Sequence, residues 1–272
     1  MQNRKVILIT GASSGIGKIT AIKLVEEGHI VYGAGRNLSG LNDLIDRGGH
    51  AIIMDMSSQE SIEKGVRKVI SEQGKIDVLW NNAGFGLFGP VEDISIEKAR
   101  YQFEVNLFGL ADITRKVLPF MREARTGLII NTSSMGGKIY TPLGAWYHAT
   151  KHALEGFSDC LRLELREFGI NVVVLEPGLI ETGFTDGVLG HFPRESAEGP
   201  YRRIVDSILS AAKKKAIRGS DPELIAKTVR KIITAKNPKT RYLIGKLAKP
   251  LVYIRRIFGD KIFDKILLSQ LR

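Results

Sequence analysis

Apolar residues fall into two alternating kinds of run along the chain. Short, nearly unbroken β-branched stretches occur at "KVILIT" (5–10), "IVYGA" (30–34), "HAIIMD" (50–55), "IDVLWN" (76–81), "GLIINTS" (127–133), "INVVVLEP" (170–177) and "TRYLIG" (240–245). Between them lie longer segments whose apolar positions recur at helical spacing. Strands that are apolar on both sides and separated by helices predict a parallel sheet covered on both faces. The expected fold is α/β, a doubly wound (Rossmann) arrangement with a mostly parallel seven-stranded sheet. No repeat, low-complexity tract or linker divides it. The reading is a single domain over residues 1–245, with a substrate lid at about 183–218, followed by a basic, helical C-terminal extension at 246–272.

Ligands in such sheets sit beyond the carboxyl ends of the strands. There the first strand runs into "TGASSGIG" (10–17). Gly11, Gly15 and Gly17 allow a tight turn and close approach to a ligand, and the free N–H groups of the helix that follows favour a pyrophosphate. After the second strand the chain reads "YGAGRN": Arg36 is the one charged residue there and no carboxylate is present. An arginine at that place suits the 2′-phosphate of NADP, whereas an acid suits the ribose of NAD. NADP(H) is therefore preferred, with NAD(H) as the alternative and Ser14 as a further hydroxyl for the phosphate. Asp55, in "MDMSS", either accepts from the adenine amino group or caps the next helix. In "GAWYHATKHAL" (144–154), Tyr147 and Lys151 stand four apart and share a helix face.

These motifs, with "NNAG" (81–84), "VNLFG" (105–109), "NTSS" (131–134) and "EPGLIET" (176–182), resemble in order and spacing the short-chain dehydrogenase/reductase family, most of all its hydroxysteroid and retinol dehydrogenase branch, to which "KHALEGFSD" and "RYLIG" point. The resemblance implies a catalytic tetrad of Asn106, Ser133, Tyr147 and Lys151. Reducing a carbonyl requires a proton at the oxygen as hydride reaches the carbon. A free phenol has a pKa of about 10, and the Lys151 ammonium, with an oxidised nicotinamide, is expected to lower that of Tyr147. Ser133 is expected to hold the substrate oxygen, and Asn106 to support a water near the lysine. Cofactor contacts implied by the likeness are Ser13, Ser14 and Ile16 in the glycine turn, Met56 beside Asp55, Ala83 and Gly84 under the ribose, Pro177 and Gly178 against the nicotinamide, and Ile180 and Thr182 at its carboxamide. Tyr147 and Lys151 are included, and Asn82 is expected either there or on main chain.

The glycine-punctuated stretch after Thr182 suggests a lid whose Phe184, Val188, Leu189 and Phe192 join Ser133 and Tyr147 around an apolar substrate, with Trp146 and Leu143 opposite. His148 and His191 receive no catalytic role. Composition narrows the rest. The single cysteine, Cys160, excludes an internal disulfide, no Cys/His grouping has zinc spacing, and helical intervals to Phe157, Leu161 and Leu165 suggest that it is buried. No secretory signal or membrane-spanning run is visible, so a cytoplasmic protein is expected. The net charge of +11 is uneven: residues 200–272 hold 19 Lys/Arg against 5 Asp/Glu (+14), leaving −3 for the remainder. No nucleic-acid recognition motif accompanies those charges. The extension reads as two amphipathic helices broken at Gly259, suited to core packing or a homo-oligomer contact in preference to an anionic membrane. The expected activity is NADP(H)-dependent hydride transfer to or from the carbonyl or alcohol of a hydrophobic steroid-like, retinoid-like or acyl-chain substrate. A non-catalytic dinucleotide-binding redox sensor and an NAD-linked alcohol dehydrogenase are the alternatives.

Overall fold

The seven apolar runs form one sheet. β1 (Val6–Thr10), β2 (Ile30–Gly35), β3 (His50–Ile53), β4 (Val78–Asn81), β5 (Gly127–Thr132), β6 (Ile170–Pro177) and β7 (Arg241–Ile244) lie in the order β3-β2-β1-β4-β5-β6-β7, and every neighbouring pair is parallel. The computed structural model describes residues 4–184, 196, 198–213 and 218–269. Side chains alternate between the two faces of the sheet, giving two cores. Leu8, Tyr32, Leu79 and Ile129 pack with α3 (Gln59–Gln73), α5 (Gly109–Glu123) and α6 (Ala145–Glu164). Ile7, Ile9, Trp80 and Ile130 pack with α1 (Gly15–Glu26), α2 (Asn42–Ile45) and α8 (Glu223–Thr234). The remaining described α-helices are α4 (Ile96–Phe103), α7 (Arg202–Lys213) and α9 (Ala248–Ser269). The strand order turns back between β1 and β4, which opens a crevice at the ends of those two strands.

One expectation needs adjusting. Cys160 is exposed on α6, while its neighbours Leu161 and Leu165 are buried; one step along a helix is a rotation of about 100°, enough to leave the buried stripe. The extension does break at Gly259, as expected, with non-helical φ of 71° and ψ of −178°, and it packs on the core with Ala248 and Phe263 buried. Phe263 is fully buried with its ring centroid 5.4 Å from that of Tyr140. The Tyr140 hydroxyl lies 2.8 Å from Asp264, and Arg255 stacks 4.5 Å over the Tyr140 ring while donating to the Lys138 carbonyl at 2.5 Å. No described helix is long and apolar enough to cross a membrane.

Gly109 opens α5 at a place where an added Cβ would overlap the carbonyl oxygen of Met56. Alanine normally favours a helix over glycine by about 1 kcal/mol. Here overpacking should dominate, and Gly109→Ala should lower stability by about 1–3 kcal/mol in denaturant unfolding. A stabilised variant would show that the two backbones are not held together in solution.

Candidate active site

The glycine turn is shaped by backbone conformation and by clearance. Gly11 and Gly15 have φ of 67° and 55°, in the left-handed region that side chains resist. A Cβ on Gly11 would lie 2.8 Å from the Ala83 Cα, and one on Gly17 would overlap the Gly11 carbonyl oxygen. Asn82 completes this packing from β4: its Nδ2 donates to the carbonyls of Thr10 at 3.2 Å and Gly11 at 3.1 Å. Of its two expected roles the main-chain one is what the geometry uses. Thr10 reciprocates, its Oγ1 accepting from the N–H groups of Asn82 and Ala83 at 3.0 Å each. Ser14 sits at the N-cap of α1 with extended backbone and makes no side-chain cap bond, which leaves an exposed hydroxyl beside the first helical N–H groups. Ser13 faces the end of β2, where a Cβ on Gly35 would meet it at 3.0 Å.

Arg36 follows β2 directly and is exposed at the rim. Asp55 does not cap the following helix: Ser58 does, accepting from the Ser61 N–H at 3.2 Å. The Asp55 Oδ1 instead accepts from the N–H and hydroxyl of Ser57 at 2.9 and 2.7 Å, and those bonds hold its carboxyl below the usual range. The expected cofactor residues Gly11, Ser13, Ser14, Gly15, Ile16, Arg36, Asp55, Met56, Asn82, Ala83 and Gly84 all border one cleft of about 840 Å³. Gly17 lies outside its lining, because its part is to let α1 pack against the turn.

The opposite wall of the cleft comes from β5, β6 and α6. Tyr147 and Lys151 are one turn apart on α6 and almost fully buried, with Nζ 5.9 Å from the ring centroid. Lys151 Nζ donates to the carbonyl of Thr132 at 2.8 Å. Burial pulls its pKa down to about 8, and the Glu155 carboxylate opposes that fall. Burial also pushes the Tyr147 phenol above its ordinary value, with a hydrogen bond to Ser134 working the other way. The expected lowering of the phenol is therefore absent from the protein alone, because withdrawal from water outweighs the hydrogen bond to Ser134.

The serine expectation changes as well. β5 ends at Thr132, and Ser133 and Ser134 follow with their side chains directed differently. Ser133 is buried, and its Oγ has no hydrogen-bond partner among the described residues. Ser134 Oγ accepts from the Gly136 N–H at 3.0 Å, lies 3.5 Å from the Pro177 carbonyl and is the hydroxyl bonded to Tyr147. The partner of the phenol is thus Ser134, not Ser133. Both serines border the cleft.

Asn106 lies in a π-helical turn, Glu104–Phe108, inserted between α4 and α5. Such turns displace one side chain from the α-helical register, often at functional sites. Its amide exchanges bonds with the Phe85 N–H and carbonyl at 3.0 and 2.9 Å and donates to Thr150 Oγ1 at 3.2 Å. A Cβ on Gly84 would lie 3.1 Å from Asn106 Oδ1 and 3.8 Å from Lys151 Nζ, so both side chains converge on that glycine. Asn106 itself is behind the cleft lining.

Beyond β6, Pro177, Gly178, Ile180 and Thr182 border the cleft, and Thr182 approaches the glycine turn, its Cβ 3.7 Å from where a Gly15 Cβ would be. Phe88 and Phe184 flank the Tyr147 ring with centroids at 5.3 and 5.8 Å, forming an apolar mouth. Trp146 and Leu143 do not border it. Trp146 packs against the satellite cluster of Leu87, Ile94 and Ala99 and meets Phe103 edge-on. His148 is structural: its Nε2 accepts from the Thr141 N–H at 3.1 Å and its Nδ1 lies 2.8 Å from the Gly136 carbonyl, tying the 136–141 segment to α6. Val188, Leu189, His191 and Phe192 lie outside the described residues.

Residues 5–189 match the family model described as short chain dehydrogenase. The chain belongs to the short-chain dehydrogenase/reductase family. It is 40% identical over 252 residues to the 3-ketodihydrosphingosine reductase of Bacteroides thetaiotaomicron, covering 91% of this chain and 90% of that protein. A crystal structure of a short-chain dehydrogenase from Streptomyces avermitilis superposes with a TM-score of 0.79 at 31% identity, over 99% of both chains. A metagenomic short-chain oxidoreductase in complex with NADP has a TM-score of 0.70 at 28% identity, covering 88% of this chain and 96% of that one. The chain is thus an oxidoreductase of this family, and its glycine turn, with φ values that admit only small residues and an uncommitted Ser14 hydroxyl, fits a nicotinamide dinucleotide.

Proposed function

We propose that the protein is an NADPH-dependent reductase of ketones on long-chain, lipid-like molecules, able to run in reverse as an alcohol dehydrogenase. The observation that carries this reading is that Tyr147, Ser134 and Lys151 meet at one end of a cleft whose other end is the glycine turn. When bound, the nicotinamide supplies or accepts the hydride. The chain's own part is to hold the carbonyl oxygen at the Tyr147 and Ser134 hydroxyls and to deliver a proton from the phenol. Burial keeps that phenol protonated, which suits a donor and favours reduction. Lys151, fixed by the Thr132 carbonyl, would bind the nicotinamide ribose, with Asn106 fixing the backbone of Phe85 beside it.

Arg36, exposed where β2 ends and with no acid in the same turn, supports the 2′-phosphate of NADP. Ile180 and Thr182 are suited to the carboxamide. For the substrate, the Bacteroides relative's name favours an acyl-chain ketone over a steroid or retinoid, and the apolar mouth at Phe88 and Phe184 is compatible with such a chain. A lipid-like substrate also gives the C-terminal extension a use. Tyr253, Ile257, Phe258 and Ile262 remain exposed around the break at Gly259, and Lys249, Arg256, Lys261 and Lys265 form no ion pair with any described residue. An apolar elbow ringed by cations suits peripheral contact with an anionic bilayer; a homo-oligomer contact is the competing use.

In an assay of NADPH oxidation against 3-ketodihydrosphingosine, Tyr147→Phe should reduce kcat at least about 100-fold. Ser134→Ala should cost more than Ser133→Ala; the reverse order would restore Ser133 to the role. Arg36→Asp should weaken NADPH about 10- to 100-fold relative to NADH, the range for losing a charged hydrogen bond, and an unchanged ratio would remove the NADP assignment. The protein should float with phosphatidylglycerol vesicles and not with phosphatidylcholine vesicles, and Ile257→Asp/Phe258→Asp should abolish flotation. Absence of flotation at low salt, or a variant that changes only the molar mass in solution, would assign the elbow to a subunit contact.

A further inference from the structure

Behind the site lies a group of buried charges that the proposed reaction does not use. Glu155, on α6 one turn beyond Lys151, is 5% exposed, and Glu176, which precedes the Pro177–Gly178 turn, is 2% exposed. Their carboxyls are in hydrogen-bond contact. The Glu155 Oε2 receives Lys138 Nζ at 2.8 Å and Arg241 Nη2 and Nε at 3.1 and 3.2 Å, and Glu176 Oε1 lies 3.7 Å from Lys138 and 3.5 Å from Arg241. Asp159, the next acid along α6, takes Arg241 Nη2 at 2.6 Å. The charged groups facing the pair are therefore Lys151 and Asp159 from α6, Arg241 from β7 and Lys138 from the segment after β5. Two buried carboxyls side by side titrate as a coupled pair. Burial and the charge of Glu155 push Glu176 up to about 7.

We propose that Glu155 is a positioning residue whose buried carboxylate keeps the ammonium charge on Lys151. The two stand four apart on the buried side of α6, where such side chains are neighbours, so the carboxylate opposes the loss of charge that burial favours on Lys151, and the lysine's bond to the Thr132 carbonyl adds no negative charge. Glu155 acts through Lys151 and touches neither substrate nor cofactor. This inference rests on the catalytic reading of Lys151, so its first test does not use activity.

The Lys151 amine, followed by NMR of protein labelled at the lysine ε-carbon and assigned with Lys151→Arg, should titrate near pH 8 in the intact chain. In Glu155→Gln it should titrate about 1 pH unit lower, the effect of removing a close opposite charge. Glu155→Asp, which keeps the charge one methylene away, should move it less. An unmoved lysine in both Glu155 variants, whatever happens to thermal stability, overturns the proposal and leaves Glu155 a packing residue. The alkaline limb of the kcat/KM profile should move down with the lysine in Glu155→Gln. A lysine that shifts while that limb stays fixed supports the electrostatic inference and removes Lys151 from the catalytic reading instead.

Discussion

The site depends on withdrawing an ammonium and a phenol from water together. α6 packs against the sheet so that Tyr147 and Lys151 are both less than a tenth exposed, and desolvation then governs each of them in an opposite sense. It keeps the phenol neutral and loosens the lysine's hold on its proton. A neutral phenol is a proton donor in waiting, whereas a neutral lysine would contribute no field. The two residues therefore need different help. For the proposed proton transfer Tyr147 needs a hydroxyl partner, and Ser134 is bonded to it. Lys151 needs an anion, and Glu155 stands one turn away on the same helix.

Clearance is the second constraint. The ligand crevice exists because backbones approach where other chains would carry side chains: Gly11 against Ala83, Gly17 against the Gly11 carbonyl, and Gly84 against Asn106 and Lys151. Thr10 and Asn82 bind these approaches with hydrogen bonds that cross from β1 to β4, the place where the strand order turns back. Much of the polar side-chain chemistry of the "NNAG" motif is thus spent on holding backbone, leaving small residues for the ligand to pass.

The fold was legible because each strand carried a continuous apolar run, and a two-sided sheet is what such runs require; the parallel direction followed from the helices between them. The site was legible where chemistry depends on spacing, as in the glycine turn and the Tyr147–Lys151 pair. It was not legible where it depends on direction. Adjacent serines at 133 and 134 look alike in a string, and only the twist of the chain leaving β5 distinguishes the one that reaches Tyr147. Trp146 looked like a pocket wall but adjoins Tyr147 on a helix, where one step turns a side chain to another surface. The Glu155–Glu176 pair joins residues 21 apart in sequence on different elements, and acids in "LEGF" and "LEPG" give no sign of meeting until β6 and α6 are packed.

The same packing makes the segment after β5 a junction. Ile139 and Thr141 border the cleft, the Lys138 side chain holds Glu155, and the Lys138 carbonyl and Tyr140 ring hold Arg255 of α9. His148 ties the segment back to α6 one residue after Tyr147. The cleft wall, the buried charges and the C-terminal extension thus share four consecutive residues, 138–141. A displacement of α9 by anything it contacts has to move Arg255 or Tyr140, and through them the backbone that carries Lys138. The extension is for this reason mechanically part of the site, although it lies 97 residues beyond Lys151 in the chain, counted to Ala248.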